Sequence, residues 1–197
     1  QSGSRWSGET FCGGAANMIV KKKFPALAPV LVLIVLSACS GPIETRIEST
    51  GEGIPDGAVI AAPVAPPGQS TPEWNIARDS VTAALRASGH DVVEDATLVV
   101  DVAVSARPAA AAISTMPGGP YSAAKRQRLL QSCRDQVQRL VVTVADRNSG
   151  RLLYRGSAEE YHCKATLSRN LPLLASRAVA DARRPGATRT EHRGGVD

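Results

Sequence analysis

The chain has 197 residues, with 23 Lys and Arg against 18 Asp and Glu, a formal net charge of +5, and four cysteines. Most of that excess lies in the first 38 residues; the remaining 159 carry 19 basic and 17 acidic groups, a net charge of +2. So small an excess removes the case for a nucleic-acid partner, and the length suits one domain with a modest core.

Residues 1–17 are rich in Gly and Ser, lack periodicity and precede Met18; they read as a mis-called upstream segment outside the fold. Residues 18–38 carry the parts of an export signal. Lys21, Lys22 and Lys23 form a basic start, residues 25–36 an uncharged apolar run, and Ser37-Ala38 a small-residue cleavage site. The run is shorter than the ~20 residues of a bilayer-spanning helix, and Pro25 and Pro29 suit a buried helix poorly.

Leu36-Ser37-Ala38-Cys39 resembles the lipobox of bacterial lipoproteins. That resemblance implies that Cys39 is lipidated, carries diacylglycerol and an amide-linked acyl chain such as palmitate, and becomes the mature N-terminus. Several acyl chains together give stable attachment where one does not. Ser40, in place of the aspartate that retains lipoproteins at the inner membrane, implies the outer membrane and its periplasmic face.

Residues 39–69 read as the lipidated cysteine, a possible first strand at 43–49 and a Pro/Gly/Ala-rich tether or crossover at 51–69. An ordered strand at 58–62 stays open. The α+β domain is expected over 70–186. Ser70-Thr71-Pro72-Glu73 predicts a helix start, with Ser70 as cap and Glu73 reaching back to it. Trp74, Ala77, Val81, Ala84 and Leu85 then form an apolar stripe, and Gly89 stops the helix. Residues 97–106 predict a strand with Leu98, Val100, Val102, Val104 and Ala106 on one face. Residues 107–122 form a Pro/Gly/Ala loop, and 123–132 are basic and ambiguous.

Residues 137–145 and 151–161 predict a hairpin around Asp146-Arg147-Asn148-Ser149-Gly150. Asn170 is expected to cap a second helix carrying Leu171, Leu174, Ala178 and Val179, ended by Pro185-Gly186. Residues 187–197 read as a polar tail. If the hairpin is centred on Asn148, Leu140 faces Gly156, Val142 faces Tyr154, Val144 faces Leu152, and Cys133 stands opposite Cys163. An exported chain meets an oxidising compartment, so Cys133 and Cys163 are disulfide candidates. Free thiols, or a metal held by Cys133, His162 and Cys163, are the alternatives; adjacent strand residues pointing to opposite faces disfavour the metal.

No nucleophile elbow, zinc-protease motif, phosphate loop or Cys-x-x-Cys occurs. His90 could work with Asp91 or Asp95, but a solvated turn accounts for the same residues. Glu159 and Glu160 alternate across a strand and cannot share a face. Arg126, Arg128, Arg134 and Arg139 could face anionic lipid or glycan, although a solvated face is the favoured reading of these residues. The expectation is therefore no catalytic residue, metal or cofactor.

Ser88-Gly89-His90, Ala96-Thr97-Leu98-Val99-Val100-Asp101-Val102, Ser149-Gly150-Arg151-Leu152-Leu153-Tyr154-Arg155-Gly156 and Pro185-Gly186 together resemble a family of uncharacterised small proteobacterial lipoproteins of the domain-of-unknown-function class. The resemblance implies an α+β domain behind a lipid anchor and no known enzyme activity; only the anchoring cysteine carries over. The expected fold is α+β, a mostly antiparallel sheet of about four strands with two helices packed on one face. The expected function is that of a non-catalytic envelope lipoprotein, held to the membrane by lipid and contacting an envelope protein or glycan. A periplasmic hydrolase using His90 or His162, or an accessory subunit of an envelope transporter, are the competing classes.

Overall fold

The computed structural model describes residues 43–114, 120–122, 124–125, 133–163 and 165–194. Cys39 and the expected export signal lie outside these, as do Arg126 and Arg128. The strands are β1 (Ile43–Gly51), β2 (Val59–Ala61), β3 (Asp91–Val93), β4 (Leu98–Pro108), β5 (Ile113–Ser114), β6 (Pro120–Ser122), β7 (Gln136–Asp146), β8 (Leu152–His162) and β9 (Thr188–Arg193). The helices are α1 (Pro72–Ala87) and α2 (Leu167–Val179).

Seven strands form one mixed sheet in the order β3-β2-β4-β7-β8-β1-β9, while β5 and β6 pair separately. β2 runs parallel to β3 and β4; the other pairings are antiparallel. This overturns the expectation of a mostly antiparallel four-stranded sheet. The uncounted strands are those whose own sequence carries little periodicity: β2 and β3 have three residues each, and β9 is polar throughout. The expected tether therefore contains β2, and the expected tail contributes the edge strand β9 beside β1.

Thr71 rather than Ser70 caps α1, its hydroxyl accepting from the Trp74 amide at 3.2 Å. Trp74, Ala77, Val81 and Leu85 are buried as the stripe requires. They share one core with Val100 and Val102 of β4, Leu140, Val142 and Val144 of β7, Tyr154 and Ala158 of β8, and Leu171, Leu174, Ala175 and Ala178 of α2. α2 begins three residues before Asn170, from Thr166, whose side chain makes no capping bond. Asn170 instead turns inward and is buried.

The hairpin register differs from the expected one by two residues: Leu140 pairs with Ala158, Val142 with Gly156 and Val144 with Tyr154. A shift of two keeps every side chain on its face, because the strand period is two. Asp146 sets the turn, its carboxylate accepting from the Asn148 and Ser149 amides at 2.9 and 2.8 Å, and Gly150 takes the positive φ of 68°. In this register the cysteines are not ladder partners. They bridge because both lie just past the strand ends, with Cα atoms 5.6 Å apart.

Tyr154-Arg155-Gly156 fastens α2 to the sheet. Tyr154 and Gly156 share the helix-facing side, and the Tyr154 hydroxyl donates to the Ala178 carbonyl at 2.5 Å. A Cβ on Gly156 would lie 2.0 Å from that carbonyl oxygen and 2.2 Å from the Tyr154 hydroxyl. Only glycine leaves the tyrosine room to lie across the strand beneath the helix.

Candidate functional site

The antiparallel register sets Thr45 of β1 beside Glu160 of β8, and Ile43 beside Arg193 of β9. His162 follows Glu160 by two residues, so both point to the same face of β8. Gln138 of β7 pairs with Glu160 from the other side, and α2 covers the group with Asn170. A polar centre thus forms at the disulfide end of the sheet from four strands and one helix.

Glu160 is 0% exposed and His162 2%. His162 Nε2 lies 2.6 Å from Glu160 Oε2, Arg193 Nη2 donates to the same oxygen at 3.0 Å, and Arg193 Nε reaches Oε1 at 3.3 Å. The Thr45 hydroxyl also donates to Oε1. Burial pushes the Glu160 carboxyl up, but hydrogen bonds from His162, Arg193, Thr45 and Asn170 outweigh it and hold the pKa at about 2. With the carboxylate ionised, the His162 contact requires the proton on Nε2. Beside it, Gln138 Nε2 donates to the Ala165 carbonyl at 2.7 Å, tying the approach to α2 onto the sheet.

Chemically, this arrangement stabilises a buried negative charge. A general base needs a lone pair within reach of a substrate proton, and both Glu160 oxygens are already engaged by donors within a sealed site. A groove among the described residues lies elsewhere. It is open, of about 1000 Å³, at the far end of the sheet between the loop after β1 and the C-terminal ends of both helices. Its charged residues include Glu52, Asp56, Asp181, Arg151 and Arg183. Arg151 pairs with Glu52 at 3.3 Å, Arg183 with Asp56 at 3.1 Å, and Asp181 with Arg189.

His90 is buried at this far end at 2% exposure, with neither ring nitrogen hydrogen-bonded. Burial pushes its pKa down, the Arg183 charge adds to that and Asp56 opposes it. Neither proposed carboxylate joins it: Asp95 pairs with Arg147 at 2.6 Å, and Asp91 is exposed. Of the sequence candidates, Cys133 and Cys163 meet as a disulfide, and no group of three His, Cys, Asp or Glu among the described residues could hold a metal. Arg139 does not extend a basic strip; it lies 3.5 Å from Glu159 and 3.8 Å from Glu48 on the face away from the helices.

Sequence reasoning considered Glu159 with Glu160 and missed Glu160 with His162. The spacing of two on one strand was the available signal. Thr45 and Arg193 carried none, being more than a hundred and more than thirty residues away in sequence.

No protein-family model matches the chain, and no curated protein matches it. Among solved structures it is similar to the PelC dodecamer from Paraburkholderia phytofirmans, at 13% identity over 71% of this chain and 98% of that one, with a TM-score of 0.42. A point variant of that dodecamer gives 14% identity, 71% and 97% coverage and a TM-score of 0.42. A PDZ domain protein from Parabacteroides distasonis gives 10% identity over 83% of this chain and 42% of that one, with a TM-score of 0.49. Likenesses this distant transfer neither a family nor an activity to this chain.

Proposed function

We propose that the chain is a lipid-anchored envelope lipoprotein whose folded domain acts by contact, not catalysis, at the periplasmic face of the outer membrane. The observation that carries this is Leu36-Ser37-Ala38-Cys39 behind a lysine triplet and a short apolar run. The Cys133–Cys163 disulfide supports it independently, since such bridges persist in oxidising compartments. The non-catalytic part rests on Glu160 and His162, which bond to each other and to the fold around them.

Labelled palmitate fed to cells making the full chain should appear in the membrane-bound protein and be lost in Cys39→Ala. An unmodified thiol at residue 39, in a polypeptide that fractionates with the cytosol and keeps its leader, would overturn the reading. For the contact role, chemical cross-linking of intact envelopes should recover the same protein or glycan repeatedly.

The hydrolase alternative draws on one observation, the 2.6 Å contact between His162 and Glu160. It would gain if His162→Gln abolished a measurable hydrolysis while leaving the unfolding midpoint unchanged. The contact reading expects the midpoint to fall.

A further inference from the structure

We infer that the sheet face turned away from the helices is where two copies of this chain meet, about a two-fold axis that runs along β7. The inference does not depend on the anchor at Cys39. Both helices pack on the other face, against Val100 and Val102 of β4, Leu140, Val142 and Val144 of β7 and Tyr154 and Ala158 of β8. Strand alternation turns the residues between these to the opposite side. An antiparallel sheet with one face in solvent ordinarily carries polar side chains there. Here one row across five strands is apolar instead. Val93, Ala61, Val99, Ala145 and, across a bulge, Leu152 are successive partners from β3 to β8. Val93 and Leu152 are 40% and 43% exposed.

The charges beside that row select the occupant. The next row carries Asp101 of β4, Thr143 of β7 and Arg155 of β8. Asp101 and Arg155 are exposed and, among the described residues, have no ion pair or side-chain hydrogen bond. They flank β7 at about 4.8 Å on either side. The other charges that β4, β7 and β8 place on this face are engaged: Arg139 with Glu159 at 3.5 Å, and Arg107 with the Ala111 carbonyl. On β1, Arg46 pairs with Glu48 at 2.6 Å. Two unpaired carboxylates on this face, Asp91 of β3 and Glu44 of β1, lie outside this central block, Asp91 on the edge strand and Glu44 at the disulfide end.

β7 is the middle strand of seven. A two-fold axis along it turns β4 of one copy over β8 of the other, and each row meets itself. Asp101 then stands over Arg155 of the second copy, and Arg155 over Asp101. In the apolar row Val99 meets Leu152, and Ala145 meets Ala145. This symmetry selects a second copy over an unrelated partner: opposite charges at equal distances from the middle strand make the face complementary to itself. Sheets packed this way align within about 30° and lie about 10 Å apart. Seven strands at about 4.8 Å and three rows at about 6.8 Å cover about 600 Å² of each copy. That is the lower limit for a specific contact, so association belongs in the micromolar range or weaker.

The test is sedimentation velocity of the full chain in mild detergent, from about 1 to 100 μM. The parent should pass reversibly from monomer to dimer. D101R and R155D should each raise the dimer dissociation constant at least about tenfold, since each sets like charges opposite one another twice. Mixing the two variants should restore association as a heterodimer, and the double variant D101R/R155D should restore it alone. A parent that stays monomeric, single variants that dimerise as the parent does, or a mixture that fails to recover overturns the inference. A second measurement leaves both charges in place. T143C, on the axis, should be captured as a dimer by a bis-maleimide spanning about 10 Å, whereas T190C on β9, about 29 Å from its mate, should not. Equal capture at both positions, or none at 143, counts against the two-fold along β7.

Discussion

Glu160 and His90 are both sealed from solvent, at opposite ends of one sheet, and the fold treats them in opposite ways. Glu160 keeps its charge because side chains from β1, β8, β9 and α2 reach it. His90 has no hydrogen-bond partner at either ring nitrogen, and burial, with the Arg183 charge, lowers its pKa and so favours the neutral ring. A buried ionisable group is tolerated in either state, but only the partnered one links distant segments. The Glu160 end should therefore be where the domain interlocks, and the His90 end where a side chain is merely accommodated.

Substituting the partnered carboxylate puts that contrast to its strongest test. Glu160→Ala strands Arg193, His162 and Thr45 around an uncompensated gap and should cost about 3–5 kcal/mol in urea unfolding. A loss below about 1 kcal/mol, within the range of an exposed ion pair, would show that the cluster does not hold the strands together. At the same end, replacing Cys133 and Cys163 together with alanine releases a cross-link of sequence separation 30. The loss should be about 3–4 kcal/mol, seen as a lower urea midpoint without reductant.

Acid sharpens the comparison without mutation. The folded pKa of Glu160, about 2, lies below its ordinary value of 4.5. The unfolded chain therefore binds the proton first, and the stability this group contributes is complete above pH 4.5 and lost as pH falls towards 2. Glu160→Gln should flatten that part of the pH–stability curve measured by thermal unfolding. His90 acts in a higher window with the same sign. Its folded pKa is lowered below 6.5, so stability falls as pH drops through 6.5. His90→Leu should remove this dependence and leave neutral-pH stability within about 1 kcal/mol of the parent, or above it, because two unpaired polar atoms disappear. A large loss at neutral pH would mean that His90 is held by more than packing.

Where one stretch of chain contained the whole physical cause, the sequence was readable. The stripe of α1, the alternation of β4 and the Asp146–Gly150 turn each follow from neighbours within a few residues. The disulfide was reached through a register wrong by two residues, and it stood because both cysteines lie beyond the paired strands, in segments the register does not constrain. The alternation of Glu159 and Glu160 was read correctly as a separation across the sheet. The same period of two, carried one step further, places Glu160 with His162.

β2, β3 and β9 were not legible because short or wholly polar strands exist only by virtue of the strands that hydrogen-bond to them. Sequence by itself determined the apolar faces and the turn chemistry, since these depend on spacing along the chain. Only tertiary structure decided that the tail closes the sheet, that Tyr154 needs Gly156 beneath it, and that Glu160 stays charged in the dark of the core. Each of those rests on atoms brought within about 3 Å by pairings that no local periodicity encodes.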